Sequence, residues 1–460
     1  MNGIQKLIVK DKHFYQTVFM LAVPIALQSL ISIGVNMLDT IMVGRLGEIQ
    51  LSATSLANSF ISVYHIFCMG LGMGASVLVS RYWGMMGQNP EKAAEALKKT
   101  VCIMIRLTVS LALVFAVATF LIPKQIMFLY SDDPAIIDNG VIYFRYSILT
   151  YFFLGLSLVC TIVLRSVGQV KLPLRVSIGA FFVNLGANYG LIFGKLGLPE
   201  MGIAGAALGT LIARIFECTM ICGYLLFFDQ KIGFRIRHLA MHTKDLLGEY
   251  IRISIPVLIS DGILAIGNNT VAMVIGRLGA GFVAANAITS VTQQMSSVLI
   301  SGVSQAGAIV TGKTLGEGDK EKTWAQAYGF LGFGIGLGLI SAIFIMLISE
   351  PIIRSYQVSD ETAQMARQLM RAISLILVFQ ASNSIMTKGV LRGGGDTRML
   401  MVADNVFLWI LSIPLGIIAG FVFELSPFWI YICLKFDQIT KAVWCVLRLR
   451  SGKWIKKIRY

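Results

Sequence analysis

The stretch Pro24–Gly47, PIALQSLISIGVNMLDTIMVGRLG, decides the fold of this chain. It is apolar and long enough to cross a bilayer, since a spanning helix needs about 20 residues for a hydrocarbon core of about 30 Å. One acid, Asp39, lies well inside it. A charged residue at that depth costs roughly 2.5–3.5 kcal/mol on insertion scales and usually marks an ion or substrate path. The stretch therefore predicts a membrane helix that carries a functional carboxylate.

The same pattern returns at Pro256–Gly279, PVLISDGILAIGNNTVAMVIGRLG. Placing Pro24 on Pro256 (256 − 24 = 232) makes the two GRLG endings coincide. Further along, VLRSVGQVK at 163–171 matches VLRGGGDTR at 390–398 (390 − 163 = 227). Because self-similarity at a nearly fixed spacing is the mark of a repeat, the chain is predicted to be an internal duplication.

The composition identifies the class of protein. Hydrophobic residues make up 56% of the chain, charged residues only 14%, and the mean hydropathy is +0.75. Soluble domains carry about 25% charged residues, so these values indicate an integral membrane protein. Apolar runs of helical length follow one another along the chain, at 14–44, 52–80, 100–122, 139–163, 176–194, 202–228, 251–276, 284–312, 324–348, 365–387, 400–420 and 428–447.

We therefore expect an all-α integral membrane fold with twelve transmembrane helices in two pseudo-symmetric six-helix bundles. The lobes are predicted as 1–236 and 237–460. An even number of helices per repeat gives both copies the same orientation in the membrane, with a substrate cleft between them. Alternate loops hold 27 Lys and Arg against 5 in the opposite set, and the positive-inside rule then places both termini in the cytoplasm. The same rule accounts for the net charge of +15, so no nucleic-acid partner is expected.

In sequence the chain resembles the multidrug and toxic-compound extrusion (MATE) family over essentially its whole length. The motifs that carry the resemblance are DTIMVGRLG (39–47), LRSVGQVKLP (164–173), NLGANYGLIFG (184–194), GIAGAALGT (202–210), LRGGGDTR (391–398) and RLRSGKWIKK (448–457). The resemblance implies an exporter in the cell membrane rather than an enzyme. It would exchange cationic amphipathic or aromatic compounds for Na⁺ or H⁺, without a cofactor, and work as a monomer. A flippase for lipid-linked saccharides, which shares the superfamily architecture, stays open as the alternative.

The resemblance also implies coupling residues in the first half. Asp39 occupies the family's acidic position in helix 1, although a buried, hydrogen-bonded carboxylate that only fixes helix packing is the plainer reading. Asn184 and Asn188 are four residues apart and hence share one helical face. Related members often have Asp where this chain has Asn188, so the ion stays open; Asp39, Asn184 and Asn188 would be metal ligands only if it is Na⁺. Thr210 matches a family Thr near the same site.

In the second half, Asp261 is the candidate acid, although some family members carry theirs about a turn later. Pro24 and Pro256, at matched positions, each remove a helix hydrogen bond and are predicted hinges. Two further charged sets are interpreted as structural pairs rather than as sites. These are Arg214 with Glu217, and Lys435 with Asp437 and Lys441.

The segment Gly307–Thr314, GAIVTGKT, satisfies the phosphate-loop pattern G-x4-GK[ST]. A phosphate loop works by wrapping backbone N–H groups around phosphates between a strand and a helix. Here the letters continue an apolar helical run, so ATP binding is not expected.

Overall fold

The computed structural model describes residues 11–356 and 358–456, and within these ranges every regular element is a helix. The predicted all-α class is therefore confirmed. The helices of the first half are α1 (Lys12–Gly44), α2 (Glu48–Met85), α3 (Pro90–Leu121), α4 (Pro123–Phe128), α5 (Pro134–Ser147), α6 (Thr150–Ser166), α7 (Lys171–Phe193) and α8 (Gly202–Gly223). A π-helical turn (Tyr224–Phe228) and a 3₁₀ turn (Ile236–Ala240) follow in the linker region.

The second half begins with three long helices and has a more interrupted end. Its helices are α9 (Lys244–Arg277), α10 (Ala280–Gly316), α11 (Lys320–Ser355), α12 (Asp360–Ser384), α13 (Thr397–Val406), α14 (Ile413–Ile417), α15 (Pro427–Leu434) and α16 (Phe436–Arg450). Three π-helical segments separate or extend them, at Ile385–Leu391, Phe407–Ser412 and Ile418–Val422. Short π segments inside α-helices occur frequently at functional sites.

Ten of the described helical segments are long and apolar enough to span a membrane. An eleventh span arises if α5 and α6 are taken together, since they meet at a bend of 59°. The predicted last run, 428–447, instead forms two shorter helices, α15 and α16, that meet at Lys435. The exact count of twelve therefore stays a prediction. The GAIVTGKT segment lies wholly inside α10, without the strand and loop that a phosphate site requires.

The chain divides into two compact units, whose bounds differ from the sequence halves 1–236 and 237–460. One unit is Leu27–Leu258, and the other combines the described residues up to Ala26 with those from Ile259 onward. Two helices are therefore shared: α1 begins in one unit and ends in the other, and α9 does the reverse.

Glycines on α2 and α10 make room for these shared helices. A Cβ on Gly70 would lie 2.8 Å from Leu258 Cβ, in the first part of α9. In the other unit, a Cβ on Gly302 would lie 2.6 Å from the carbonyl oxygen of Ala22, in the first part of α1. Gly70 and Gly302 are repeat equivalents (70 + 232 = 302). Close helix approach over small residues is the usual packing mode in membranes.

Candidate functional site

Asp39, in the last part of α1, is partly buried and hydrogen-bonded to α7. Asn188 donates from Nδ2 to Asp39 Oδ1 at 2.6 Å, and the same nitrogen lies 3.3 Å from Asn184 Oδ1. A hydrogen bond to a carboxylate is about twice as strong as one between neutral groups. The structure thus brings Asp39, Asn184 and Asn188 together within one unit.

Helices α7 and α8 pack closely against each other beside Asn188. A Cβ on Gly209 would lie only 2.0 Å from Asn188 Oδ1, and one on Gly205 only 2.4 Å from the carbonyl oxygen of Leu191. Any larger residue at these two positions would push the helices apart. Asn188 is almost fully buried, and its Oδ1 has no hydrogen-bond partner among the described residues. Since buried polar atoms are nearly always satisfied, this acceptor is a feature that needs an explanation.

Thr210 reaches the site through a tyrosine that the sequence analysis missed. The Tyr143 hydroxyl donates to Asn58 Oδ1 at 3.3 Å and also hydrogen-bonds with Thr210. Tyr143 is buried on α5 and lies within electrostatic range of Asp39. A tyrosine in an apolar helix gives no sequence signal that separates such a role from ordinary packing.

Arg214 and Glu217, three residues apart on α8, form the predicted pair, with Arg214 Nη1 2.7 Å from Glu217 Oε2. Arg214 is also close enough to Asp39 for their charges to interact. The pair is therefore structural in its direct contact, but its guanidinium contributes to the field around Asp39.

The oxygen atoms at Asp39 suit a small cation or a proton. Hard cations prefer carboxylate and amide oxygens, and the site offers the Asp39 carboxylate, Asn184 Oδ1 and Asn188 Oδ1. No cluster of three or more His, Cys, Asp or Glu side chains with metal-binding geometry occurs in the described part of the chain.

A family model described as MatE matches residues 24–190 and 256–418. The chain belongs to the MatE family. Among its curated relatives, the probable multidrug resistance protein NorM of Thermotoga maritima is 25% identical over 95% of this chain and 92% of its own. The multidrug resistance protein NorM of Burkholderia vietnamiensis is 28% identical over 86% and 85%. The fold matches a Vibrio cholerae MATE transporter with a TM-score of 0.87, at 15% identity, over 98% and 99% of the two chains.

The MatE match assigns the predicted residues to both family segments. Asp39, Asn184 and Asn188 lie in the first matched segment, whereas Thr210 lies beyond its end at residue 190. Asp261 lies in the second, where its Oδ1 is 3.1 Å from Arg392 Nη2. Arg392 is buried, so the charge of Asp261 is compensated by a fixed partner. Asp39, in contrast, has an amide as its hydrogen-bond partner.

Pro24 and Pro256 both lie inside continuous helices of this MatE chain, α1 and α9. Each is followed two residues later by the point where its helix passes from one compact unit to the other, Ala26/Leu27 and Leu258/Ile259. Proline removes one backbone hydrogen bond and permits a kink. Their role as hinges stays a prediction.

Proposed function

We propose that this protein is a secondary active multidrug exporter. It exchanges cationic amphipathic or aromatic compounds for Na⁺ or H⁺ across the cell membrane, with both termini in the cytoplasm. Membership of the MatE family and relatives named multidrug resistance proteins support this proposal. The observation that carries it within the molecule is the Asp39–Asn188 contact beside a buried amide oxygen that has no hydrogen-bond partner in the described part of the chain.

In this proposal the incoming ion interacts with Asn188 Oδ1 as well as with Asp39. A proton on Asp39 turns an acceptor into a donor, and Asn188 Oδ1 is the neighbouring acceptor that lacks one. A Na⁺ ion would instead take Asp39, Asn184 Oδ1 and Asn188 Oδ1 as oxygen ligands. Either ion satisfies the amide oxygen and neutralises Asp39. A buried acceptor without a hydrogen bond costs about 1–3 kcal/mol. The ion-bound site and the empty site therefore favour different arrangements of Asp39 and Asn188.

The available energy is sufficient for uphill export. Moving one charge through 100 mV yields about 2.3 kcal/mol, and a tenfold ion gradient adds about 1.4 kcal/mol. Together these sustain a substrate gradient of a few hundredfold for each ion that is exchanged.

The alternative, a flippase for lipid-linked saccharides, needs a strongly cationic cleft for phosphates. The candidates in the sequence are Arg106, Arg145 and Arg371, and Arg106 has other partners. Its Nη2 donates to the carbonyl oxygens of Leu239 at 2.6 Å and Met241 at 3.0 Å, and its Nη1 to Thr243 Oγ1 at 3.3 Å. Arg106 therefore fastens the linker, which leaves Arg145 and Arg371 as the candidates for a phosphate-binding cleft.

The test is vesicle transport of a fluorescent cationic dye under separately imposed Na⁺ and pH gradients. Wild-type protein should drive uphill transport with one gradient or the other, and Asp39→Asn should fold, insert and lose this activity. Asp261→Asn is the matched control in the second half and should lose less. Full activity of Asp39→Asn, or complete loss only in Asp261→Asn, would contradict the proposal.

A further inference from the structure

The segment after the last helix of each half packs on a turn that the two halves share. The turn is LRSVGQ at 164–169 and LRGGGD at 391–396 (164 + 227 = 391). In both, the N–H of the last glycine donates at 2.9 Å to the carbonyl oxygen of the arginine three residues earlier. These glycines, Gly168 and Gly395, have positive φ angles of 77° and 85°. The backbone therefore closes the turn in the same way in both halves.

In the second half, the end of α16 and the tail that follows it cover this turn. Arg448 makes two bonds to Asp396, from Nε to Oδ2 at 2.7 Å and from Nη2 to Oδ1 at 3.1 Å, and Lys456 Nζ lies 3.4 Å from Oδ1. The N–H of Lys456 donates to the carbonyl oxygen of Gly394 at 2.9 Å, and a Cβ on Gly394 would clash with the ring of Trp454. Asp396 and Trp454 are buried. These contacts fix the tail on the turn.

In the first half, the linker after α8 covers the equivalent turn. Gln169 Nε2 donates to Asp229 Oδ1 at 2.8 Å, and Lys231 Nζ donates to the carbonyl oxygen of Val167 at 3.0 Å. Asp229 is buried and also accepts from backbone N–H groups of the linker. Gln169 and Asp396 are equivalent (169 + 227 = 396). The acid thus lies on the turn in the second half and on the covering segment in the first.

The arginine of each turn binds a helix that is shared between the compact units. Arg392 is buried, and its Nη2 lies 3.1 Å from Asp261 Oδ1 on α9. Its equivalent, Arg165, donates from Nη2 to Gln28 Oε1 on α1. Asp261 is the third residue after α9 passes between units, and Gln28 is the second after α1 does. Each turn is therefore joined to a shared helix through one long side chain.

Helix α16, which carries Arg448, is itself held within its unit. Lys441 Nζ lies 3.0 Å from Asp437 Oδ2, as the predicted pairing requires, and 3.3 Å from Asp404 Oδ1 on α13. The sequence analysis missed Asp404. Lys435, the third member of the predicted set, interacts electrostatically with Asp437. The tail therefore begins at a helix that is tied to α13.

The turn of the second half has little rigidity of its own. Residues 393–395 are three glycines, and glycine loses more conformational freedom on folding than any other residue. The position of Arg392 therefore depends on the segment that covers the turn. Hydrogen bonds between charged groups are roughly twice as strong as neutral ones, and Asp396 has two basic partners there. The first-half turn contains one glycine and uses a neutral amide, so it depends less on its covering segment.

We propose that the tail, residues 448–456, and the linker segment 229–231 act as straps. Each strap sets the position of its turn and, through the arginine of that turn, holds a shared helix just beyond its passage between units. Arg448 is therefore a positioning residue for α9 that acts through Arg392. Gln169 has the same role for α1 and acts through Arg165.

Hydrogen exchange of the purified full chain tests the straps without transport, so its outcome is separate from that of the proposed export. Arg448→Gln should accelerate exchange of α9 around Asp261 about tenfold, the factor that corresponds to about 1.4 kcal/mol, and leave α1 around Gln28 unchanged. Gln169→Ala should accelerate α1 by a smaller factor and leave α9 unchanged. Arg450→Gln is the matched control, since Arg450 is exposed in the same last turn of α16, and it should change neither helix.

A double-mutant comparison separates the positioning role from a general loss of stability. Arg392→Gln alone should accelerate exchange of α9, and adding Arg448→Gln should accelerate it no further, because the strap acts through Arg392. Additive effects of the two changes would overturn the proposal. So would unchanged exchange of α9 in Arg448→Gln, equal acceleration of α1 and α9, or acceleration by Arg450→Gln. If Arg448→Gln fails to fold, Lys456→Gln, which removes the more exposed contact to Asp396, replaces it under the same criteria.

Discussion

Gln28 and Ser260 occupy equivalent positions in the two repeats (28 + 232 = 260), each just after its helix has passed from one unit to the other. Gln28 Nε2 donates to Ser177 Oγ at 2.7 Å, and Ser260 Oγ donates to Asp404 Oδ2 at 3.0 Å. Ser177 and Asp404 are themselves equivalent (177 + 227 = 404). The duplication has kept this contact in both halves, but its acceptor is neutral in one and charged in the other.

The acids of the two halves differ in the same way. Asp39 corresponds to Val271 (39 + 232 = 271), so Asp39 has no acidic counterpart in the second half. Arg214, on the last helix of the first half, pairs with one acid, whereas Lys441, on the last helix of the second half, pairs with two. The scaffold contacts of a duplicated transporter are thus conserved between halves while the ionisable groups are redistributed. Functional symmetry does not follow from structural symmetry.

The largest effect on the free energy of unfolding is expected when Lys441 or Arg214 is replaced separately by alanine. Lys441→Ala leaves two buried carboxylates without their ammonium, which costs about 3–5 kcal/mol. Arg214→Ala breaks a partly buried pair, in which Arg214 is 31% and Glu217 12% exposed, and it leaves one carboxylate rather than two without a basic partner, so it should cost less than Lys441→Ala. Thermal unfolding in detergent measures both. Equal destabilisation would show that the two halves do not differ in the burial of charge.

Much of this comparison could be predicted from the sequence, because duplication and periodic hydrophobicity are local patterns. The association of Asp39 with Asn188 was implied by the family resemblance, whereas spacing showed only that Asn184 and Asn188 share one helical face. Asp404 was not, because its partner Lys441 lies on another helix and no spacing rule joins them. The passage of α1 and α9 between units leaves no trace in hydropathy, since the residues around each passage, PIAL (24–27) and PVLI (256–259), are continuously apolar.

A smaller loss of stability is expected when the glycines that pack against α1 and α9 are replaced. Gly302→Ala places a methyl 2.6 Å from a backbone oxygen, and Gly70→Ala places one 2.8 Å from Leu258 Cβ. Both should destabilise by about 1–3 kcal/mol through overpacking. Gly336→Ala, with no atom within 4 Å, is the control and should stabilise its helix by up to about 1 kcal/mol. A neutral Gly302→Ala would mean that the shared helix packs less closely in that unit.

Arg81 and Lys313 are the repeat-equivalent basic residues near the ends of α2 and α10. Their replacement by alanine should change the free energy of unfolding by different amounts. Arg81 is only 4% exposed, so Arg81→Ala should destabilise by about 1–3 kcal/mol, as loss of a buried polar group usually does. Lys313 is half exposed and 3.8 Å from Glu317, so Lys313→Ala should cost less than about 1 kcal/mol. Dye export should survive Lys313→Ala. Loss of export in a folded, inserted Lys313→Ala protein would revive the nucleotide-binding reading of GAIVTGKT.

The smallest effect concerns the segments that follow the last helix of each half. In the linker, the backbone N–H of Arg235 donates to His238 Nδ1 at 2.8 Å. Partial burial, with the nearby charges of Lys98, Arg237 and Arg235, lowers the pKa of His238 from 6.5. Because the folded form holds this proton less tightly than the unfolded chain, the contribution of His238 is present above about pH 6.5 and is lost as the pH falls towards the folded value.

Hydrogen exchange of residues 229–243 should therefore accelerate, after correction for intrinsic rates, when the pH is lowered through this window. His238→Asn keeps an acceptor near the position of Nδ1 but does not titrate, so the acceleration should disappear. His242, also in the linker, is unchanged in that variant. A response that depends on His242 would therefore remain, whereas one that depends on His238 would be lost. The described tail of the other half, residues 451–456, contains no histidine and should not respond. If exchange in the tail also accelerated at low pH, or if the acceleration of residues 229–243 persisted in His238→Asn, the response could not be attributed to His238.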